Sequence, residues 1–333
     1  MIIRKTLRLR TALTVLALSG LAVVSARCAG AAPAQRQFTL QALSSRFWDL
    51  VPRGTKLTKF ATGFGFTEGP VWDPRGFLYV SDEIQNRIYR VEQGGRRETV
   101  VALGDPDGNT YDLNRHLIDC ASVLRGLIRV SPDGHYTMLA SRYEGKRFNS
   151  PNDVVLGPDR ALYFTDPTLD LPKGQKQEIP FQGVYRLDER GNVTLLTRDL
   201  TQPNGLAFSP DGKRFYVDDS EQRNIRVYDF SGGQLSHGRI FGDEHDGPSE
   251  GVPDGMRLDR EGDLFVVGPK GIWVWNAAGD HLGTIIMPEQ PANLTWADAD
   301  HRTLYITATT SVYRLRTRVT GYVPYLNQRS ARR

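Results

Sequence analysis

The sequence contains few cysteines and no clear helical pattern. Cys28 and Cys120 are the only cysteines among 333 residues, which excludes both a disulfide framework and a four-cysteine zinc site. After residue 34, no segment keeps the 3.6-residue apolar period of an amphipathic helix for three turns. The six histidines also lack the spacing of a zinc site. The sequence therefore predicts neither a helical protein nor a metal site built from thiolates or imidazoles.

A basic segment opens the chain. Arg4, Lys5, Arg8 and Arg10 precede an apolar stretch, residues 11–24, and small residues follow up to residue 34. This order is typical of a secretory signal peptide, and 14 apolar residues are too few to span a bilayer as a helix. We assign residues 1–34 to a cleaved signal peptide and expect a periplasmic or secreted protein without a stable membrane anchor. A short N-terminal membrane anchor is the alternative.

The positive net charge of +4 belongs largely to this segment. The full chain has 42 Lys and Arg against 38 Asp and Glu, and removal of five basic residues leaves 37 against 38. We therefore expect no nucleic-acid partner, because binding to phosphates needs a basic surface. Cys28 leaves with the signal peptide, so Cys120 has no disulfide partner and is expected to be buried in a strand.

An apolar run recurs six times along the chain. The runs begin at positions 78, 117, 162, 215, 264 and 304, a mean separation of about 45 residues. Tight-turn residues (Asp, Pro and Gly) precede most runs, and a shorter apolar strand precedes each turn. Strands that repeat at this period are typical of a β-propeller with four strands per blade.

We predict an all-β fold, a six-bladed β-propeller with four antiparallel strands per blade, over residues 35–320. Residues 321–333 are assigned to a C-terminal tail. Residues 56–61 read as a strand that closes the ring by pairing with the last blade, which would remove a free sheet edge. Two packed β-sandwiches are the alternative, which the regular spacing disfavours.

One polar residue precedes each apolar run by ten or eleven positions. These six residues are Glu68, Asp107, Asn152, Asn204, Asp254 and Asn293. If each opens the innermost strand of its blade, six oxygen-bearing side chains meet at one mouth of the channel. Such oxygens suit Ca²⁺, Mg²⁺ or Mn²⁺, and gathered carboxylates repel one another unless a cation lies among them. The pattern predicts one divalent cation there. The alternative is that these side chains only cap the strands.

Five segments resemble the senescence-marker-protein/gluconolactonase family, also called regucalcin-like, and they stand in the family's order. They are F-T-E-G-P-V-W at 66–72, S-P-N-D-V-V at 150–155, F-T-D-P at 164–167, P-N-G-L-A-F-S-P-D-G at 203–212 and P-D-G-M-R-L-D at 253–259. The resemblance covers roughly residues 43–315. It implies a six-bladed propeller with one divalent metal ion, often Ca²⁺ and sometimes Zn²⁺. It also implies hydrolysis of sugar lactones or related esters.

The resemblance further implies roles for individual residues. Glu68, Asn204 and Asp254 match the metal ligands of the family, and Asp254 also matches its presumed general base. Asn152 matches the asparagine that lies between metal and substrate, so we place it in both sets.

Two positions depart from the family pattern at the expected pocket wall. Ser122 stands where the His of a second-blade Cys-Glu-His-Gly motif is expected, and Asp107 stands where many bacterial members carry Asn. Both are predicted to contact substrate, together with Asn152. Asp166 and Asp219, at the ends of second strands, either reach the pocket or cap the strands.

The resulting hypothesis is an exported, metal-dependent lactonase, a carboxylic ester hydrolase that opens a sugar lactone with metal-activated water. Ca²⁺ is the expected ion, with Zn²⁺, Mn²⁺ and Mg²⁺ as alternatives, and the partner is a small-molecule lactone or ester. Two other functions stay open, since a fold does not fix a substrate. One is a metal-dependent hydrolase of aryl esters or phosphotriesters at the same site, and the other is a non-catalytic, sugar-binding propeller.

Overall fold

The structure, a computed structural model, describes residues 36–247 and 251–330. The predicted signal peptide and the last three residues of the predicted tail lie outside these residues, so export to the periplasm or the medium stays a prediction. Within the two described ranges, no helix has the length and apolar character needed to cross a bilayer.

The described chain is almost entirely β-structure. It begins with a lead segment that contains β1 (Thr39–Ala42), the short helix α1 (Phe47–Leu50) and β2 (Leu57–Thr62). The first blade consists of β3 (Thr67–Asp73), β4 (Phe77–Asp82), β5 (Arg87–Glu92) and β6 (Arg97–Ala102). The second consists of β7 (Pro106–Tyr111), β8 (Leu117–Ala121), β9 (Gly126–Val130) and β10 (Tyr136–Ala140). A small hairpin follows, made of β11 (Arg142–Tyr143) and β12 (Lys146–Arg147).

The remaining blades follow in chain order. The third blade consists of β13 (Val154–Leu156), β14 (Leu162–Asp166), β15 (Gly183–Leu187) and β16 (Val193–Thr197). The fourth consists of β17 (Pro203–Phe208), β18 (Arg214–Asp219), β19 (Asn224–Ser231) and β20 (Gln234–Asp243). The fifth consists of β21 (Met256–Leu258), β22 (Leu264–Gly268), β23 (Gly271–Trp275) and β24 (His281–Ile286). The sixth contains β25 (Pro291–Ala297), β26 (Thr303–Ala308) and β27 (Ser311–Arg316), and the helix α2 (Pro324–Ser330) comes after it.

The lead segment closes the ring. Strand β2 pairs antiparallel with β27, with Leu57 opposite Leu315 and Thr62 opposite Ser311, and so supplies the fourth strand of the sixth blade. This confirms the predicted closing strand. Strand β1, which the sequence analysis did not predict, pairs with β24 as a fifth strand of the fifth blade. The lead therefore covers the outer edges of two blades, edges that would otherwise expose unpaired backbone groups.

The six-bladed arrangement confirms the predicted fold. The first strands of neighbouring blades pack against one another in a closed circle, in the order β3, β7, β13, β17, β21 and β25. Second strands lie one layer further out, and five of the six are buried along their whole length. A strand buried on both faces carries a continuous apolar run instead of an alternating one. This burial explains why the runs beginning at positions 78 and 162 stand out in the sequence.

The C-terminal segment covers the channel end opposite the polar residues. The Tyr322 N–H donates to the Leu258 carbonyl at 2.9 Å, and the Tyr325 hydroxyl donates to the Trp72 carbonyl at 2.7 Å. Leu258 is the last residue of β21, so these contacts lie at the far end of the inner strands. Only about 30 Å³ of cavity remains between the inner strands and this segment, room for about one water molecule. Residues 321–327 of the predicted tail thus pack against the propeller.

We expect replacement of Tyr325 by Ala to lower the free energy of unfolding by about 3 kcal/mol, the usual cost of deleting a buried aromatic ring. Tyr325 is 5% exposed, and its ring meets that of Tyr111 edge-on at 5.2 Å. Urea unfolding of both proteins measures the difference. Tyr136→Ala is the control: this side chain is 45% exposed, so its loss should cost less than about 1 kcal/mol. Equal losses would show that the segment does not seal the channel.

Candidate functional site

The six polar residues predicted from the repeat lie at one end of the inner strands. Four of them are the second or third residues of β3, β7, β17 and β25, and Asn152 and Asp254 stand two residues before β13 and β21. We call the set the ring residues: Glu68, Asp107, Asn152, Asn204, Asp254 and Asn293. All are buried except Asp254, which is partly exposed. The structure thus places all six at the same mouth of the channel.

Glycines allow the inner strands to approach one another at this mouth. A glycine follows the ring residue in four blades, namely Gly69, Gly108, Gly205 and Gly255. A Cβ atom on Gly205 would lie 2.1 Å from the Asp254 carbonyl oxygen, closer than any side chain can come. The N–H of Gly108 donates to the Asn152 carbonyl at 2.8 Å. Backbone of one blade therefore touches the ring residue of the next, and this contact holds the ring narrow.

Glu68 and Asn293 are fixed to each other. Asn293 Nδ2 donates to Glu68 Oε2 at 2.9 Å, and Asn293 Oδ1 accepts the Leu294 N–H at 2.8 Å. The Gly69 N–H also donates to Glu68 Oε2. Both ends of the Asn293 amide are therefore occupied, and Asn293 supports Glu68 without a free oxygen of its own.

The other two ring amides keep their oxygens available. Asn152 Nδ2 donates to Asp107 Oδ2 at 2.7 Å, and Asn204 Nδ2 donates to the Ser220 hydroxyl oxygen at 3.2 Å. Asn204 Oδ1 is buried, and no group in the described ranges donates a hydrogen bond to it. A buried oxygen without a donor is costly unless something binds it. Of the three ring asparagines, Asn152 and Asn204 are therefore the two that could present an oxygen to a ligand.

Burial raises the pKa values of the ring carboxylates. It raises the pKa of Glu68 to about 8, with the charge of Asp153 adding to the rise. Burial also raises the pKa of Asp107 and that of Asp254 well above the usual range, and neighbouring carboxylates, including Glu68, push both further. Protons, or a bound cation, must therefore offset the negative charge gathered at this mouth.

Among the acids near the ring that were not predicted from the sequence, three lie on connections between strands: Glu83, Asp105 and Asp170. Burial, followed by the charge of Glu68, raises the pKa of Glu83 to about 10. Burial, followed by the charge of Asp170, raises the pKa of Asp105 to about 6. All three lie on connections at the mouth end of the blades. The spacing of the repeat already shows which connections lie at the mouth end of the blades. Acidic residues on those connections could therefore have been recognised as candidates from the sequence.

The ring offers a donor set that fits a hard divalent cation. Glu68 and Asp254 contribute carboxylates, and Asn152 and Asn204 contribute neutral amide oxygens. Across the described residues, no group of three or more His, Cys, Asp or Glu side chains is arranged to hold a metal ion, so the two amides would have to complete the set. Hard cations prefer such oxygens, and a bound cation would remove the repulsion that raises the carboxylate pKa values.

A family comparison places this ring in a known group of proteins. The family model described as SMP-30/Gluconolactonase/LRE-like region matches residues 66–310. The matched range holds all six ring residues. The chain belongs to the SMP-30/gluconolactonase/LRE-like family. The resemblance drawn from the five sequence segments is thereby confirmed.

Individual relatives agree with this assignment. The chain is 32% identical to a gluconolactonase from Zymomonas mobilis subsp. mobilis over 305 residues, covering 84% of this chain and 86% of that one. It is 29% identical to a pentonolactonase from Haloferax volcanii over 251 residues, covering 72% and 80% of the two chains. The solved structure of a gluconolactonase from Xanthomonas campestris superposes with a TM-score of 0.77 at 30% identity, covering 84% of this chain and 94% of that one.

In this member of the SMP-30/gluconolactonase family, two serine hydroxyls bind the backbone directly before ring residues. The Ser122 hydroxyl donates to the Pro151 carbonyl at 2.9 Å, and the Ser220 hydroxyl donates to the Pro253 carbonyl at 2.7 Å. Each proline stands directly before a ring residue. Ser122 is fully buried, so the structure places it against the backbone that leads into Asn152. Contact of Ser122 with substrate stays a prediction.

Asp166 and Asp219 bind backbone N–H groups. Asp166 Oδ2 accepts the Asn149 N–H at 2.9 Å. Asp219 accepts the N–H groups of Thr201, at 2.6 Å, and Gln202, at 3.1 Å. Both side chains thus tie the end of a second strand to the connection that enters the same blade. Of the two roles left open by the sequence, these bonds favour capping.

We expect Asp166→Asn to become more stable relative to the wild type as the pH rises from 5 to 8. Burial raises the pKa of Asp166 to about 8, above about 4 in the unfolded chain. In this interval the folded wild type holds a proton that the unfolded chain has lost, so its stability falls as pH rises. Asparagine still accepts the Asn149 N–H but does not ionise. The stability difference should grow by about 3.5 kcal/mol, because the pH interval lies almost wholly between the two pKa values and each pH unit there contributes about 1.4 kcal/mol.

Urea unfolding at each pH, with chelator present, measures this change. Asp188→Asn is the control, because hydrogen bonds from Asn192 lower the pKa of the partly exposed Asp188, so it stays ionised from pH 5 to 8. If Asp166→Asn and the wild type lost stability in parallel, Asp166 would not be the buried acid described above.

Proposed function

We propose that this chain hydrolyses a sugar lactone at the ring mouth, with one divalent cation held by Glu68, Asn152, Asn204 and Asp254. The similarity to a gluconolactonase and a pentonolactonase, over 84% and 72% of this chain, supports a lactone-hydrolysing enzyme. The observation that carries the proposal is the placement at one mouth of two carboxylates that interact electrostatically, Glu68 and Asp254, and of the Asn204 oxygen, which is buried and receives no hydrogen bond from the described residues.

Ca²⁺ is the cation proposed first, because all four donors are oxygens and two are neutral. Zn²⁺, Mn²⁺ and Mg²⁺ are the alternatives. When bound, such a cation supplies Lewis acidity toward a carbonyl oxygen and lowers the pKa of a water molecule. Neutral amide ligands suit this chemistry, since they hold the ion without cancelling its charge.

Glu68 and Asp254 differ in their proposed roles, cation binding for Glu68 and proton transfer for Asp254. Glu68 is held by Asn293 and by the Gly69 N–H, so it suits a fixed ligand. Asp254 is the one ring carboxylate that is partly exposed, so it is the one that can reach a water molecule from the mouth. We assign Asp254 as the general base that takes a proton from the attacking water as that water adds to the lactone carbonyl.

The acids around the mouth fit a polyhydroxylated substrate. Glu83 and Asp170 interact electrostatically with the ring carboxylates. Carboxylates accept hydrogen bonds through two oxygens each, so they can receive the hydroxyl hydrogens of a sugar lactone. An aryl ester offers these partly exposed acceptors no hydroxyl hydrogens, so it would leave them without that hydrogen bond.

A substrate screen tests the proposed function. The purified chain is loaded with Ca²⁺, Zn²⁺ or Mn²⁺, or treated with chelator, and acid release is followed from gluconolactone, a pentonolactone, an aryl ester and a phosphotriester. We expect sugar-lactone hydrolysis with at least one ion and its loss, by about 100-fold or more, in chelator. Tight metal binding without hydrolysis of any compound would favour a sugar-binding propeller. Unchanged rates in chelator would show that the cation is not required.

A further inference from the structure

The two ends of an asparagine amide have nearly the same shape but opposite hydrogen-bonding character. A site that uses the oxygen must therefore fix which end faces the ligand. Asn204 meets this need through the Ser220 hydroxyl, which accepts its NH₂ group at 3.2 Å. For Asn152 the acceptor is the Asp107 carboxylate, at 2.7 Å from Nδ2.

We infer that Asp107 is a positioning residue, which fixes the Asn152 amide so that its oxygen faces the ring mouth. The inference rests on the proposed function, in which Asn152 contributes an oxygen to the cation and the substrate. Asp107 acts here through Asn152. It gives a reason for a carboxylate at a position where asparagine is expected in many bacterial members of the family.

The chemistry of the carboxylate selects one orientation. An ionised Asp107, the form that a bound cation favours, can only accept hydrogen bonds. A reversed Asn152 amide would set its own oxygen against that carboxylate, so this orientation is disfavoured. An asparagine at position 107 could either donate or accept, and both orientations of Asn152 would then find a partner.

The two residues are also locked to each other through the backbone. The Gly108 N–H donates to the Asn152 carbonyl at 2.8 Å, and Asn109 Nδ2 donates to the Asp107 carbonyl at 3.0 Å. Asp107 is 2% and Asn152 7% exposed, so water offers little competition for the amide. The side-chain bond from Asn152 to Asp107 therefore helps to decide how the amide is turned.

A second carboxylate reaches the same amide from the long connection of the third blade. The Asp170 N–H donates to the Ser150 hydroxyl oxygen at 3.2 Å, and a hydrogen bond from the Asn152 side chain opposes the rise that burial causes in the pKa of Asp170. The buried Arg125 ties this connection down, since its Nη1 donates to Gln175 Oε1 at 3.1 Å. The Asp170 carboxylate therefore lies with that of Asp107 on the NH₂ side of the amide, which leaves the oxygen for the mouth.

Three full-length variants test the inference. Asp107→Asn removes the pure acceptor at constant shape, and Asp105→Asn is the control, since it removes the same charge nearby without a side-chain contact to Asn152. The exchange variant Asp107→Asn/Asn152→Asp restores a donor–acceptor pair with the polarity reversed, and a carboxylate at 152 has two equivalent oxygens. The Mn²⁺ affinity of the exchange variant shows whether cation binding depends on the orientation of the side chain at position 152 and not on charge alone.

Two measurements are made. The first, on the proteins that keep Asn152, is solvent exchange of the Asn152 side-chain NH₂ by NMR without metal, with the signal assigned from its loss in a separate Asn152→Asp protein. We expect exchange to become about 10-fold faster in Asp107→Asn and to stay unchanged in Asp105→Asn. The second is the Mn²⁺ dissociation constant by calorimetry. We expect it to rise about 10-fold in Asp107→Asn and less than about 3-fold in Asp105→Asn, with the exchange variant within about 3-fold of wild type.

The outcomes separate this inference from the proposed function. Equal Mn²⁺ affinities for Asp107→Asn and Asp105→Asn, or an amide that remains protected in Asp107→Asn, would overturn the positioning role. So would an exchange variant no better than Asp107→Asn. If the wild type hydrolysed no lactone while the exchange and affinity differences appeared as expected, the proposed reaction would fail and the positioning role would stand.

Discussion

Replacement of Asp254 by Asn is expected to lower kcat for lactone hydrolysis by about 1,000-fold at saturating metal, within the usual range for loss of a general base. The amide keeps an oxygen at the ring, so it can still contribute to cation binding. It has no basic oxygen of comparable strength, so it cannot take the proton of the attacking water. The loss should therefore appear in kcat and persist after the metal concentration is raised.

Kinetics over a range of Ca²⁺ and Mn²⁺ concentrations separate the two roles of Asp254. Asp105→Asn serves as the matched control, because it removes one carboxylate of the same cluster without touching a ring side chain, and we expect kcat to change less than about 3-fold. If Asp254→Asn regained the wild-type rate at high metal concentration, Asp254 would be a ligand only. The proton acceptor would then have to be sought among the acids of the connections, beginning with Glu83.

The fold could be predicted from the repeat, because a strand that is buried on both faces consists of consecutive apolar residues. The second strands carry continuous apolar runs, and the turns before them are rich in Asp, Pro and Gly. Once the period was known, the offset of ten or eleven residues placed Glu68 and Asp254 at equivalent positions. The closing strand followed from the length left over before the first blade.

Other features of the site were not predictable from the sequence, for identifiable physical reasons. Glu83 and Asp170 lie on connections, where no period fixes the direction of a side chain. The direction of an amide side chain depends on its neighbours. The Asn293 oxygen accepts the Leu294 N–H, whereas the Asn204 oxygen has no donor among the described residues. A sequence shows the same residue type at both positions. The packing of Tyr325 against the channel end likewise depends on a segment with no strand pattern.

Gly205→Ala is expected to lower the free energy of unfolding by about 3 kcal/mol, at the upper end of the cost of overpacking. The φ angle of Gly205 is one that any residue can adopt, so the cost comes from space alone. A Cβ atom there would lie 2.1 Å from the Asp254 carbonyl oxygen and 2.8 Å from Asp218 Oδ2. The first neighbour is backbone and cannot rotate away, so the two inner strands must separate. Urea unfolding measures the loss.

The added methyl group of Gly205→Ala should also disturb the ring, because the carbonyl that it meets belongs to Asp254, a proposed cation ligand. Mn²⁺ affinity measured by calorimetry should therefore fall together with stability, although no ligand side chain is changed. Gly54→Ala is the matched control: Gly54 also has an ordinary φ angle, and nothing lies within 4 Å of its added Cβ, so stability should hold or rise by a few tenths of a kcal/mol, roughly 0.4. A Gly205→Ala protein with normal stability and normal Mn²⁺ affinity would show that the inner strands are free to part, and the narrow ring would then not be what brings Glu68, Asn204 and Asp254 together.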